Sequence, residues 1–276
     1  MNGGAYNLRI RKIPAWTSGV ALLLLTILLL MNRTKISAQP AGPDRVADAR
    51  RRCGAELRAT FEKADVRWPA HEIFLRAMKR EGELELWARG GATEKFRLVK
   101  SLRITAQSGG PGPKRREGDM QVPEGFYEVN RFNPRSNFHL SLGINYPNAS
   151  DRVRGDPVAP GFDIFIHGGN VSIGCVALGD DGIEEIYLAA LDSRVRPVRV
   201  QLFPARMDAP DWPAWHDAQL AAHPEFRPLW DELAAAWTRF ERGRPDPFWK
   251  REDAGGRSCA FFRWREKAFA SKGGFH

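Results

Sequence analysis

Residues 161–191, "GFDIFIHGGNVSIGCVALGDDGIEEIYLAAL", change periodicity partway along. At the start Phe162, Ile164 and Ile166 alternate with Asp163, Phe165 and His167, the two-residue repeat of a strand, so His167 stands at a strand end. At the finish Ile183, Ile186, Tyr187, Ala190 and Leu191 form the stripe of an amphipathic helix, with Asp181 as its expected N-cap and Glu184 completing a capping-box pair. Between them lie three glycines, Ser172, a thiol at Cys175 and a short apolar run. The unit is strand, glycine turn, thiol, short strand, helix.

Thiol-based acyl transfer needs a nucleophile, a base and donors aimed at the developing oxyanion. Cys175 fits the first role and His167 the second. The backbone N–H groups of Gly174 and Cys175 are candidates for the third, because glycine permits close backbone approach. Spacing alone favours a buried, unreactive thiol beside a turn. A zinc site needs at least three protein ligands, and no CxxC or HxxxH supplies them, so neither metal nor cofactor is expected. His71, His139, His216, His223 and His276 have no comparable sequence neighbourhood.

A chain of 276 residues with 43% apolar content can bury a sizeable core. The net charge of +9 is spread along the chain among 33 acidic residues, without a basic stretch interleaved with aromatics, which argues against nucleic acid as a partner. At the N-terminus, Arg9, Arg11 and Lys12 precede the apolar run Val20–Met31, and small residues follow around Ala38. These are the three regions of an export signal. A periplasmic protein is expected, with residues 1–38 cleaved near Ala38 or kept as an inner-membrane anchor. In an oxidising compartment the three cysteines leave at least one unpaired; with Cys175 as a working thiol, Cys53 and Cys259 are candidates for a disulfide.

Residues 39–70 read as a linker and an amphipathic helix with Val46, Cys53, Leu57 and Phe61 inward. Two strands flank the turn at Glu81 and Gly82, a third follows in "KFRLVKSLRIT", and "GFYEV" and "FHLSLGI" supply more within a segment dense in turn residues. "RPVRVQLFP" closes the strands with Val198, Val200 and Leu202 inward. Residues 204–276 change character, with Trp212, Trp215, Trp230, Trp237 and Trp249, a helix over "PLWDELAAAWTRFERG" and a basic tail. The tryptophans are expected to pack that helix onto the sheet.

"IHGGNVSIGCVAL" resembles the signature of the L,D-transpeptidases, the YkuD-type cysteine enzymes of bacterial peptidoglycan, at His167, Gly168, Ser172, Gly174 and Cys175. The resemblance extends through "LRITAQSGGPGPKRREGDMQVPEGFYEV" and "LSLGINYPNASDR" to cover about residues 71–203, and is strongest to the YafK-type branch. It implies a β-rich α+β fold: a catalytic β-sandwich over 71–203, a capping helix after the nucleophile and a helical C-terminal extension.

The resemblance also implies that Cys175 attacks a stem-peptide carbonyl at meso-diaminopimelate, with His167 as base and proton donor. Gly174, Ser172, Ile173 and Gly168 would then hold or position the oxyanion, with the carbonyl of Ile173 as third member of the triad. Arg131, Arg135, Ser141, Asn145, Tyr146 and Asn148 flank the expected cleft as candidate substrate contacts. Ile173 replaces a histidine common in the family, and the spacer from His167 to Cys175 is short. The expected partners are peptidoglycan stem peptides and a wall-linked lipoprotein, with an N-terminal contact to the inner membrane. Transpeptidation is the principal reading. Hydrolysis of the peptidoglycan–lipoprotein link and a catalytically silent wall-binding scaffold are the alternatives.

Overall fold

The computed structural model describes residues 44–243. Residues 1–38, Trp249, Cys259 and the basic tail lie outside the described residues, so the expected export signal and the Cys53–Cys259 bridge do too.

In chain order the elements are α1 (Arg45–Lys63), β1 (Glu72–Met78), β2 (Glu83–Arg89), β3 (Arg97–Arg103), β4 (Gly125–Ser136), β5 (His139–Ile144), α2 (Ala149–Arg154), β6 (Ile164–His167), β7 (Val176–Ala177), α3 (Gly179–Asp192), β8 (Arg199–Phe203), α4 (Trp212–Ala222) and α5 (Arg227–Glu241). Among the described residues the strands form one eight-stranded mixed sheet in the order β3-β2-β1-β8-β4-β5-β6-β7. The expected sandwich is therefore a single curled sheet. The long β4 belongs to both halves, pairing with β8 through Gly125–Glu128 and with β5 beyond Val129.

The centre of the sheet is buried on both faces, because β1 and β8 alternate two apolar sets. Ile73, Leu75, Ala77, Val200 and Leu202 join the core under α1 and α3, to which Leu57, Phe61, Ile183 and Ile186 contribute. Met78 and Phe203 face the other way, into a second core with Leu229, Trp230, Leu233 and Trp237 of α5. Each such fully buried side chain contributes about 1.5–3 kcal/mol. The tryptophans of α5 thus pack onto the sheet as the sequence led us to expect, and Trp212 and Trp215 of α4 sit at the edge of the same core.

Two local expectations are corrected. Helix α3 begins at Gly179, two residues before Asp181, and its first turn carries no side-chain cap. Glu184 does not complete a capping box: its carboxylate is 2% exposed, bonded to Arg52 and, at 2.5 Å, to His139 Nε2. An ion pair from Arg52 of α1 and a hydrogen-bond contact from His139 of β5 outweigh the local motif. Phe162 does not share the buried face of Ile164 and Ile166; it precedes β6 and is 74% exposed.

Candidate active site

His167 closes β6 and Cys175 immediately precedes β7, two short parallel strands in register Ile166↔Val176 and His167↔Ala177. Parallel neighbours ordinarily need a crossover of roughly a dozen residues or more. Residues 168–175 suffice here because β7 contributes two residues only. By the same register Cys175 comes beside Phe165, and the Phe165 N–H donates to Cys175 Sγ at 3.4 Å. Phe165, His167 and Cys175 therefore fall on one face of the ribbon.

The turn is braced at both ends. The Gly169 N–H donates to Asp180 Oδ1 at 2.9 Å, and the Gly169 carbonyl accepts from Gly179 N–H and Thr105 Oγ1, each at 3.0 Å. At the other end Ser172 Oγ donates to the Cys175 carbonyl at 2.7 Å and accepts from Gly174 N–H at 3.2 Å. Gly174 has φ +123°, a conformation that a residue with a Cβ rarely adopts. A Cβ on Gly168 would lie 2.7 Å from the Phe138 carbonyl and 2.6 Å from Asp180 Oδ1, so glycine is required there by space.

The imidazole of His167 is buried, 3% exposed, with the Phe138 ring 4.7 Å away, centroid to centroid. Its Nδ1 lies 2.6 Å from the Gly168 carbonyl, which can only accept, so Nδ1 carries the proton and Nε2 is left as the basic nitrogen. Burial lowers the His167 pKa from its ordinary value, partly opposed by that bond. Burial also raises the Cys175 pKa, opposed by the Phe165 N–H and the positive charge of Lys114 and reinforced by Asp163. Both shifts favour the uncharged forms, so the resting pair is thiol and imidazole.

Two expectations about the turn change. The carbonyl that His167 Nδ1 meets is that of Gly168 rather than that of Ile173, the expected partner, because the ring turns toward its own chain neighbour and Ile173 projects outward, 80% exposed. Of the two expected oxyanion donors, Gly174 N–H is already committed to Ser172, whereas Cys175 N–H has no partner among the described residues.

The remaining candidates divide. Ser141, 2% exposed, lies directly across β5–β6 from His167. Arg131, on β4, is paired with Asp163, just before β6, at 2.9 Å, and both are half exposed. The Arg135 N–H donates to Asn133 Oδ1 at 3.0 Å. Asn145, Tyr146 and Asn148 build the turn into α2. Asn145 Oδ1 accepts from Glu128 N–H, Tyr146 OH donates to the Pro160 carbonyl, and Asn148 caps α2 while donating to the Phe126 carbonyl. Sequence reasoning missed Lys114, Asp119 and Gln121, on the Gly-rich loop before β4. Their only signal was the turn-residue density of that segment, which marks a loop and not its destination.

The L,D-transpeptidase catalytic domain profile of the YkuD family matches residues 78–200. The chain is 36% identical over 182 residues to the Escherichia coli K12 protein named "Putative L,D-transpeptidase YafK", covering 63% of this chain and 69% of the relative. The chain belongs to the L,D-transpeptidase family. Among solved structures this member is similar to the helical cell shape determining protein Pgp2 of Campylobacter jejuni, at 21% identity and a TM-score of 0.40 over 64% of this chain and 71% of that one. It is also similar to L,D-transpeptidase 1 of Mycobacterium tuberculosis, at 12% identity and a TM-score of 0.28 over 48% and 62% of the two chains.

Proposed function

We propose that this L,D-transpeptidase family member is an exported cysteine acyltransferase acting on peptidoglycan stem peptides. Substrate binding brings a carbonyl of the stem peptide, at meso-diaminopimelate, to Cys175 Sγ. His167 Nε2 takes the thiol proton as the C–S bond forms, and the Cys175 N–H donates to the oxyanion. Collapse of the tetrahedral intermediate breaks the C–N bond, and the imidazolium returns its proton to the leaving amine. The thioester is then resolved by an incoming amine, whose proton passes to His167, giving a new peptide bond and a free thiol. With water in place of the amine the same steps give hydrolysis.

The observation that carries this reading is the Nδ1–Gly168 bond, which presents an unprotonated Nε2 on the ribbon face that Cys175 shares. A thiol buried only for packing needs no oriented base. The test is incubation of the protein with diaminopimelate-containing muropeptides, with and without an attached lipoprotein peptide, followed by mass analysis. Cross-linked products are expected and should vanish in Cys175→Ala. Shortened products alone would replace transfer by hydrolysis, and no Cys175-dependent product would leave the scaffold reading.

A further inference from the structure

The loop between Gly112 and Glu124 is held at both ends by one buried ion pair. Lys79 Nζ, just beyond β1, donates to the carbonyls of Gly112 at 2.6 Å and Val122 at 2.9 Å, and to Glu124 Oε1 at 3.0 Å. The Gly112 N–H donates to the same carboxylate oxygen at 3.0 Å. The other oxygen, Oε2, accepts from Trp230 Nε1 of α5 at 2.7 Å. Lys79, Glu124 and Trp230 are 6%, 1% and 0% exposed, so water does not compete for these bonds. Phe226, just before α5, also covers the loop end: a Cβ on Gly112 would fall 2.2 Å from its ring.

Inside the loop, Asp119 Oδ2 accepts from the N–H groups of Arg115 and Arg116, while Oδ1 accepts from Gln121 N–H and from Lys114 Nζ at 2.7 Å. Burial works against the Asp119 carboxylate, yet Lys114 and these amides outweigh it and hold its pKa below the ordinary value. The loop thereby reaches the Cys175 turn through Gln121, whose carbonyl lies 3.3 Å from where a Cβ on Gly174 would be, while the positive charge of Lys114 works against the rise that burial imposes on the Cys175 pKa. A buried ion pair is weak as a source of stability, since apolar replacement often does as well. What it does supply is one fixed geometry for the segment that joins it.

We propose that the C-terminal tryptophan helix is the buttress of the active-site loop, with Trp230, acting through Glu124 and Lys79, the positioning residue that keeps Lys114 and Gln121 against the Cys175 turn. The proposal rests on Cys175 being the nucleophile, but its test needs no substrate. The pH profile of Cys175 alkylation by iodoacetamide, assigned by peptide mass in the full-length protein, reads the thiol directly. Lys114→Met should move the profile to higher pH, slowing alkylation at a fixed neutral pH about three- to tenfold. Trp230→Phe, which keeps the ring and removes the N–H, should move it in the same direction.

Trp237→Phe is the control. It lies in the same helix, and its Nε1 has no partner among the described residues, so its profile should match the wild type. If Trp230→Phe fails to fold by circular dichroism, Phe226→Leu carries the same expectation by loosening the loop at Gly112. A Trp230→Phe profile that superimposes on the wild type, or an equal shift in Trp237→Phe, overturns the buttress. Failure of the muropeptide reaction with the Trp230 effect intact would overturn the proposed activity alone.

Discussion

The Nδ1–H of His167 is donated to the carbonyl of Gly168, the next residue in its own chain, at 2.6 Å. The imidazole, the proposed base, is thus oriented by a backbone group that no side-chain substitution removes, and its tautomer is fixed in the absence of substrate. Burial lowers its pKa, so the imidazole stays neutral to lower pH than an ordinary histidine. The acid limb of kcat/KM should therefore fall below the ordinary imidazole value of about 6.5, and His167→Ala should cost about 10²- to 10⁴-fold in rate. An acid limb above that value would contradict the assignment.

Ser172 holds the backbone around Cys175 through two hydrogen bonds, one donated to the Cys175 carbonyl and one accepted from Gly174 N–H. Ser172→Ala should lower stability by about 1–2 kcal/mol and, by loosening the thiol's position, lower kcat roughly ten- to a hundredfold. Paired denaturant titrations and single-turnover rates separate the two effects. Loss of stability without loss of rate would show that the hydroxyl braces the turn and nothing more.

Asn148 is a helix cap. Asn148→Ala should cost about 1 kcal/mol in chemical denaturation and leave KM within roughly twofold of the wild type. A large rise in KM at unchanged stability would return Asn148 to the substrate surface.

Asp151, 3% exposed, accepts from Tyr127 OH and Asn148 N–H, and burial raises its pKa to about 6 against these bonds. The folded value lies above the unfolded value of about 3.9, so folding takes up a proton between them. This contribution is complete below the unfolded pKa and is lost as pH rises through the folded one, the reverse of the usual salt-bridged carboxylate. The stability difference between wild type and Asp151→Asn should move against the wild type by about 2–3 kcal/mol from pH 4 to pH 7. A difference that is flat with pH would refute the buried, proton-holding carboxyl.

The elements around the site were legible in the sequence because their apolar periods are strong: the alternation through Ile164 and Ile166, the α3 stripe, and Leu229, Leu233 and Trp237 in α5. What was not legible depends on partners distant in the chain. Glu184 matches a local capping motif, but Arg52 and His139 take its carboxylate, and neither is visible from the motif. Asn145, Tyr146 and Asn148 have the residue types of a recognition loop, and these are also the types that cap helices and fill turns. Lys114 sits in a segment without periodicity, so only the fold brings its charge to Cys175.

Strand β8 is the last strand of the described chain to be made, yet it lies between β1 and β4, parallel to one and antiparallel to the other. A nascent chain that has passed α3 but not Phe203 holds two separate pieces of sheet, β1–β3 and β4–β7. The contact that unites them, such as Leu75 with Val200, spans more than half of the described chain and forms slowly for that reason. His167 and Cys175, already in register on β6 and β7, are therefore synthesised before the strand that joins their half of the sheet to β1–β3.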